Sequence, residues 1–459
     1  MAFGERCGLD VWTSVEADTP KWHVDMHTRH FLRGPGRGSM RNMADKHGER
    51  RAMAQARKRY GAVAWLAAGL GLAGQAQAAD YDVFGDWPTH VVAADGTDFG
   101  IGVLYQYDLN RFKHDDGRLE DAQTNRRKYF GFYLRKPGLY DVNVQYDFQV
   151  RQWVDTFVRV RSKGLFGTDF GNFRLGYSKT PVGFEGVTSS GATTFIESAL
   201  PTQAIWEGRR AGLDWSLIRR TWLINLGWYF WHKDLDGNNP GRTVAGRVAW
   251  VPVNRAGHVL HLGVSASRET LNWSGNDGDR VPPTARLRAR PEDGLSPVRL
   301  IDSGALVNAD HIDRRGVEAL WIDGPLSAQG EYLDARVKRD GRPGYHASGY
   351  YAFVTWTLTG ESRVYNDGNV ADRRYRGRDL TAIKPRQRWG AVELALRYSR
   401  LDLDDGAITG GTEHDWTLGA NWYLGEHLKF QTNYVWVSSD RRGVQLHPRV
   451  FEARAQLSF

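Results

Sequence analysis

The sequence predicts an all-β protein, a transmembrane antiparallel β-barrel of about 16 strands. Three observations carry that expectation. Apolar and polar side chains alternate in segment after segment, which puts them on opposite faces of a strand. Many of the apolar positions are aromatic, within a chain holding 18 Trp, 19 Tyr and 19 Phe. A secretory leader pattern lies upstream of all of them. A mean hydropathy of −0.53 argues against a helical membrane protein, which needs apolar runs of about 20 residues per span. It does not argue against a barrel, where every second residue can be polar.

Tyr60 to Gly74 is the one long apolar helical stretch. Arg57, Lys58 and Arg59 precede it and Ala76-Gln77-Ala78 follows, the n-region, h-region and A-x-A site of a signal peptide. Cleavage is expected after Ala78, with Met53 as the start of a leader at 53–78. Residues 1–52 read as an extension from an upstream mis-start, and residues 79–96 as a short tail before the barrel domain at 97–459. His23, His27 and His30 have helical spacing, but nothing around them supports a metal site.

Twelve of the 61 basic and 7 of the 53 acidic residues lie in 1–78, which leaves 49 and 46, a net of +3 against +8 for the whole chain. The basic balance is therefore largely a leader effect and does not point to nucleic acid. Cys7 is the only cysteine and leaves with the leader, so barrel closure has to replace disulfide stabilisation.

Period-two alternation, broken by Gly, Pro, Asn and Asp clusters, places the strands. They fall near 97–110, 126–136, 139–150, 153–161, 170–178, 208–217, 220–231, 242–252, 258–268, 312–322, 325–337, 346–358, 386–400, 413–424, 427–438 and 449–459. In the third, Tyr140, Val142, Val144, Tyr146, Phe148 and Val150 oppose Asp141, Asn143, Gln145, Asp147 and Gln149. In the last, Phe451, Ala453, Ala455, Leu457 and Phe459 oppose Glu452, Arg454, Gln456 and Ser458. An even count puts both termini on the periplasmic side, with short periplasmic turns and long outer loops. Lys136-Pro137-Gly138, Asp323-Gly324-Pro325 and Gly425-Glu426-His427 are short turns; 179–207 and 269–311 are long outer connections. The connection at about 359–385 breaks the rule, through misjudged strand edges or a misplaced strand pair. Segment 269–311, rich in Pro, Arg and Asp with weak periodicity, reads as a large surface loop.

Several stretches resemble the phosphate-selective porin O and P family. They are Arg126-Arg127 with the strand ending Tyr146-Asp147-Phe148, and the run Arg174 to Glu185. Ser189, Ser190, Phe195, Glu197 and Arg210-Ala211-Gly212 continue it. Thr359 to Tyr365, Gly390 to Leu394, Arg397-Tyr398-Ser399, Leu418 to Tyr423 and the terminal Phe459 complete it. The resemblance implies a sixteen-stranded homotrimer in outer-membrane lipid, a third outer loop folded into the pore, and passage of phosphate or polyphosphate. It also implies that the barrel assembly machinery reads Phe459. The absence of lysine between Thr180 and Glu207 departs from the phosphate-passing members.

An anion in a pore exchanges its hydration for donors that hold it loosely. Arginine suits this, with a permanent charge and a planar fork that fits phosphate oxygens. The resemblance nominates Arg126 and Arg127. Alternation puts Arg127 with Tyr129 and Tyr133, on the lumen side or snorkelling at the headgroup boundary. Asp155, Arg159 and Arg161 share a face, blurred by Phe157; Arg210 shares one with Asp214, and Glu393 with Arg397. Such pairs either orient solutes or brace the wall. Lys179, Ser189 and Ser190 are further anion-binding candidates at the third loop. Passage of an organic acid or sugar, or a structural or adhesin barrel, is the alternative. No G-x-S-x-G, H-E-x-x-H or P-loop string occurs. The G-x-G-x-x-G match at Gly69 to Gly74 lies in the leader and follows no strand. No enzyme activity, cofactor or metal is expected.

Overall fold

The computed structural model of the chain describes residues 87, 89–231, 241–273, 281–366 and 379–459. The expected extension at 1–52 and signal peptide at 53–78 lie outside the described residues. Sixteen strands form the barrel: β1 (Asp98–Lys113), β2 (Ala122–Lys136), β3 (Tyr140–Asp147), β4 (Gln152–Arg161), β5 (Asn172–Lys179), β6 (Arg209–Ile218), β7 (Trp222–Trp231) and β8 (Thr243–Arg255). There follow β9 (His258–Thr270), β10 (Ala309–Asp323), β11 (Leu326–Arg339), β12 (Tyr345–Thr357), β13 (Ala391–Asp405), β14 (Ile408–Leu424), β15 (Leu428–Arg441) and β16 (Arg449–Ser458). Each pairs antiparallel with its sequence neighbour, and β16 closes on β1 from Leu104↔Ser458 to Lys113↔Arg449.

Burial along these strands is inverted relative to a water-soluble sheet. On β14, Asp415 and Thr417 are 0 % exposed while Trp416 and Leu418 are 47 % and 49 % exposed. On β16, Glu452, Arg454 and Gln456 are buried and Phe451 is exposed. A sheet that shows its aromatics outward and hides its charges fits lipid outside and a polar interior.

β1 extends beyond the end of β16, and that overhang would be an unpaired edge. His90–Val92 folds back onto it, pairing His90↔Gly100 and Val92↔Asp98. Trp87 stacks on His427 at 5.0 Å and meets Phe459 edge-on at 5.5 Å, so the described residues of the expected tail, 87 and 89–96, join the seam.

Two expectations are corrected. The described part of the expected surface loop, residues 281–308, is not a surface loop. Ala285, Leu287, Ala289, Ile301 and Leu306 are buried in one apolar cluster with inward residues of the wall, among them Leu333, Ala335 and Val337 of β11 and Leu401 and Leu403 of β13. Short pairings, Thr284–Ala285 with Leu306–Val307 and Arg288–Ala289 with Ile301–Asp302, hold its shape. The wall is apolar on its inner face there, and apolar surface inside a wet barrel has to be covered.

The exception at 359–385 is neither a strand-edge error nor a misplaced pair. β12 and β13 pair directly, from Ser348↔Asp402 to Thr357↔Glu393. The long connection between them folds back on the wall: Val364–Asn366 pairs with Asp379–Thr381, and Leu380 packs with Phe184, Val251, Val259, Leu320 and Ile322. The Tyr365 hydroxyl meets Nδ1 of the fully buried His261 at 2.7 Å, and His261 Nε2 meets Glu318 at 2.8 Å.

Candidate functional site: the charged lining of the barrel

The paired arginines sit at a break in the β1–β2 ladder. Gln106 pairs with Arg127 and the next residue, Tyr107, with Asn125, so Arg126 is the extra residue of a β-bulge. A bulge sets two adjacent residues against one on the partner strand and re-aims their side chains. Both guanidiniums consequently reach inner-face partners. Arg126 donates to Glu197 through Nε and Nη2 (2.9 and 3.3 Å), and Arg127 donates to Gln106 Oε1 at 2.7 Å.

Glu197 belongs to the connection 180–208, which hydrogen-bonds with inward side chains around much of the wall. Arg454 of β16 donates to the Ile196 carbonyl (2.7 Å) and to Glu197 (3.1 Å), Asn421 of β14 to the Thr194 carbonyl (2.8 Å), and Lys429 of β15 to that of Thr193 (2.6 Å). Glu331 of β11 accepts the Phe184 and Glu185 amides at 2.8 and 2.5 Å. Burial alone would raise the Glu197 carboxyl; Arg126, Arg127 and Arg454 outweigh it and hold the group well below the usual carboxylate range.

On the opposite side of the paired arginines, Asp141 collects Arg135 (3.0 Å), Arg159 (2.8 Å) and Arg161 (2.7 Å). Asp155, at a second bulge with φ 44°, accepts Arg209 through both oxygens (3.1 and 3.0 Å). Phe157 faces inward after all, with the Arg159 and Arg174 guanidiniums 5.6 and 5.3 Å from its ring centre. Lys179 is buried, donating to the Gly186 carbonyl at 2.9 Å and to that of Thr188, above the Trp206 ring. Ser189 and Ser190 are half-buried and line a cavity of ≈ 870 Å³ that they share with Asp155 and Arg159.

The remaining candidates are placed differently from expectation. Arg397 is 0 % exposed; it donates to Glu292 (3.1 and 2.6 Å) and to the Glu197 carbonyl (3.1 Å), with Glu185 at 3.5 Å. Glu393, equally buried, accepts Asn421 (2.8 Å) and Tyr423 (2.9 Å) rather than Arg397. Arg210 is buried against Glu269 and the Gly241 carbonyl, and its expected companion Asp214 pairs with Arg174 at 2.7 Å. These three face inward but present almost no surface to a solute. Arg397 ties the wall to connections 180–208 and 271–308, while Glu393 and Arg210 bond within or beside the wall; a guanidinium deprived of water needs a full set of acceptors.

Four basic residues were missed in the sequence. Arg286, Arg288 and Arg290 alternate with buried Ala285, Leu287 and Ala289, and Arg299 stands near them. Burial, then Arg290 and Arg288, push the Arg299 guanidinium down to about 10, and Arg290 is lowered by burial as well. Asp302 neutralises Arg286. The missed signal was the period-two alternation itself, from 285 to 290, inside a segment set aside as a loop. Among the described residues no group of His, Cys, Asp or Glu is placed to hold a metal ion.

A closed sixteen-stranded barrel with lipid-type aromatics outside and a charged, polar inner face defines an outer-membrane porin. The family model for the phosphate-selective porin O and P matches residues 99–459, and the chain belongs to that family. It is 26 % identical to Porin O of Pseudomonas aeruginosa over 379 residues, covering 75 % of this chain and 83 % of that one. An uncharacterized protein of Caulobacter vibrioides is 27 % identical over 310 residues, 64 % of this chain and 58 % of that one. In fold it is similar to OmpT, an outer membrane protein of Vibrio cholerae. The TM-score is 0.51 at 10 % identity, over 80 % of this chain and 99 % of that one.

Proposed function

We propose that this protein is a passive channel for small anions, phosphate or polyphosphate among them. Arg288, Arg290 and Arg299 form the outer part of its path, and Arg126 and Arg127 stand at the constriction. The supporting observation is that Arg288 and Arg290 alternate with residues packed on the inner wall, with Arg299 near them; burial disfavours the charge of Arg290 and Arg299, and an anion would relieve it. Connection 180–208 narrows the pore as the third outer loop, its tip at Ser189 and Ser190, and Lys179 braces that tip through carbonyls instead of meeting solute. Asp155 and Arg159 line the chamber beyond it. The channel assembles as a homotrimer in outer-membrane lipid, after export by the 53–78 leader, and Phe459 is the residue read during barrel assembly. Phosphate titrated into a chloride-conducting bilayer tests the reading: concentration-dependent block supports it, and unaltered chloride current across the titration removes phosphate from the solutes.

A further inference from the structure

Most cations around the constriction are already committed to acceptors of the chain itself. Arg126 holds Glu197, Arg209 holds Asp155, and Arg135, Arg159 and Arg161 share Asp141. Arg127 differs: it bonds the neutral amide of Gln106, and among the described residues no carboxylate is bonded to it. Gln106 in turn donates to the Ser190 carbonyl at 3.2 Å, so one hydrogen-bonded residue links Arg127 to Ser190, which lines the ≈ 870 Å³ chamber. That chamber has room for an organic solute as well as for an inorganic oxyanion. Tyr133 lies flat against Gly100, where an added Cβ would stand 2.3 Å from the ring, and its ring lines the chamber. Ser189, Ser190 and Gln145 line it too, and neither serine hydroxyl makes a hydrogen bond among the described residues. Inorganic phosphate needs several charge-assisted donors at once. One guanidinium without a bonded carboxylate, two hydroxyls, an amide and an aromatic face suit a different solute.

We infer that the chamber is a binding subsite for a hydroxylated organic monocarboxylate, a sugar acid, with Arg127 on the carboxylate, Ser189, Ser190 and Gln145 on the hydroxyls and Tyr133 against the ring. This rests on the anion-channel reading and narrows it to one solute class. The test is block of chloride current through the whole protein in planar bilayers by D-galacturonate, acetate, D-galactose and phosphate, each added alone. Galacturonate should half-block at a concentration at least tenfold below the other three. The Ser189→Ala/Ser190→Ala pair and Tyr133→Ala should each shrink the galacturonate-to-acetate ratio several-fold, and Tyr133→Phe should retain it. Phosphate blocking at or below the galacturonate concentration, or equal block by galacturonate and acetate, overturns the inference. A salt-gradient potential on the same channels separates the two claims: cation preference with galacturonate block intact defeats only the anion-channel reading.

Discussion

Replacing Arg397 by Met keeps the volume of the side chain and removes its charge. Arg397 is the node at which β13 meets both long connections, through Glu292 in 271–308 and through Glu185 and the Glu197 carbonyl in 180–208. The Phe195 ring lies 4.2 Å from its guanidinium carbon. Removing one partner of a buried ion pair leaves the other charge stranded, at about 3–5 kcal/mol. The barrel ladder does not depend on this node, so the cost falls on docking of the two segments. At about 1.4 kcal/mol per factor of ten, the undocked population should rise by roughly two to three and a half orders of magnitude. Single-channel recording should show new, larger conductance levels and frequent transitions, while heat-modifiable mobility on gels reports an intact barrel. Adding Glu292→Gln to Arg397→Met should restore most of the quiet current, because the stranded carboxylate is gone; Glu185 keeps the rescue incomplete. An Arg397→Met channel as quiet as wild type would refute the strut assignment, and so would a double variant as noisy as the single.

Further outcomes follow from the same contacts. Arg127→Ala should weaken phosphate block by about tenfold or more, the scale of a lost charge-assisted hydrogen bond. Arg126→Ala, whose guanidinium already holds Glu197, should change the block less; the reverse order in a phosphate titration would contradict that ranking. Burial pushes the Asp293 carboxyl from 3.8 up to about 6, so the docked tip of 271–308 prefers it neutral. Its stabilising effect is full below about pH 3.8 and is lost as pH rises through about 6, so current noise should grow from pH 4 to 8 and flatten in Asp293→Asn; noise that grows on acidification would count against it. Leu418→Arg, outward on β14, should cost about 2–4 kcal/mol in refolding into lipid vesicles, and an unchanged refolding midpoint would contradict a lipid-facing Leu418. Chemical cross-linking in outer-membrane vesicles should yield a trimer, and a ladder ending at monomer would exclude the assembly.

The wall was legible because a barrel writes its two faces into every strand with period two. All sixteen strands appear near the segments that alternation marks, including β16, where Glu452 and Arg454 point inward as the alternation requires. The paired arginines were legible only in part, since alternation assigns Arg127 and cannot anticipate that a bulge turns Arg126 inward beside it. What occupies the interior was much less legible. Leu333, Ala335 and Val337 on β11 are apolar where a wet lumen needs polar residues, and that local conflict was the sign that another segment covers them. The partners of Arg397 are more than 100 and up to 212 residues away along the chain, so spacing could pair it only with the nearby Glu393. The overhang of β1 and its pairing with His90–Val92 depend on where β16 stops in register, which composition does not encode.

The central claim is that the uncompensated guanidinium of Arg127 sets the anion preference of the channel. The reversal potential of wild-type and Arg127→Ala channels under a tenfold potassium chloride gradient addresses it directly. Wild type should reverse toward the chloride equilibrium potential and Arg127→Ala should shift toward zero, while Arg126→Ala stays close to wild type. Identical potentials for wild type and Arg127→Ala, or a wild-type channel reversing toward potassium, would contradict the account.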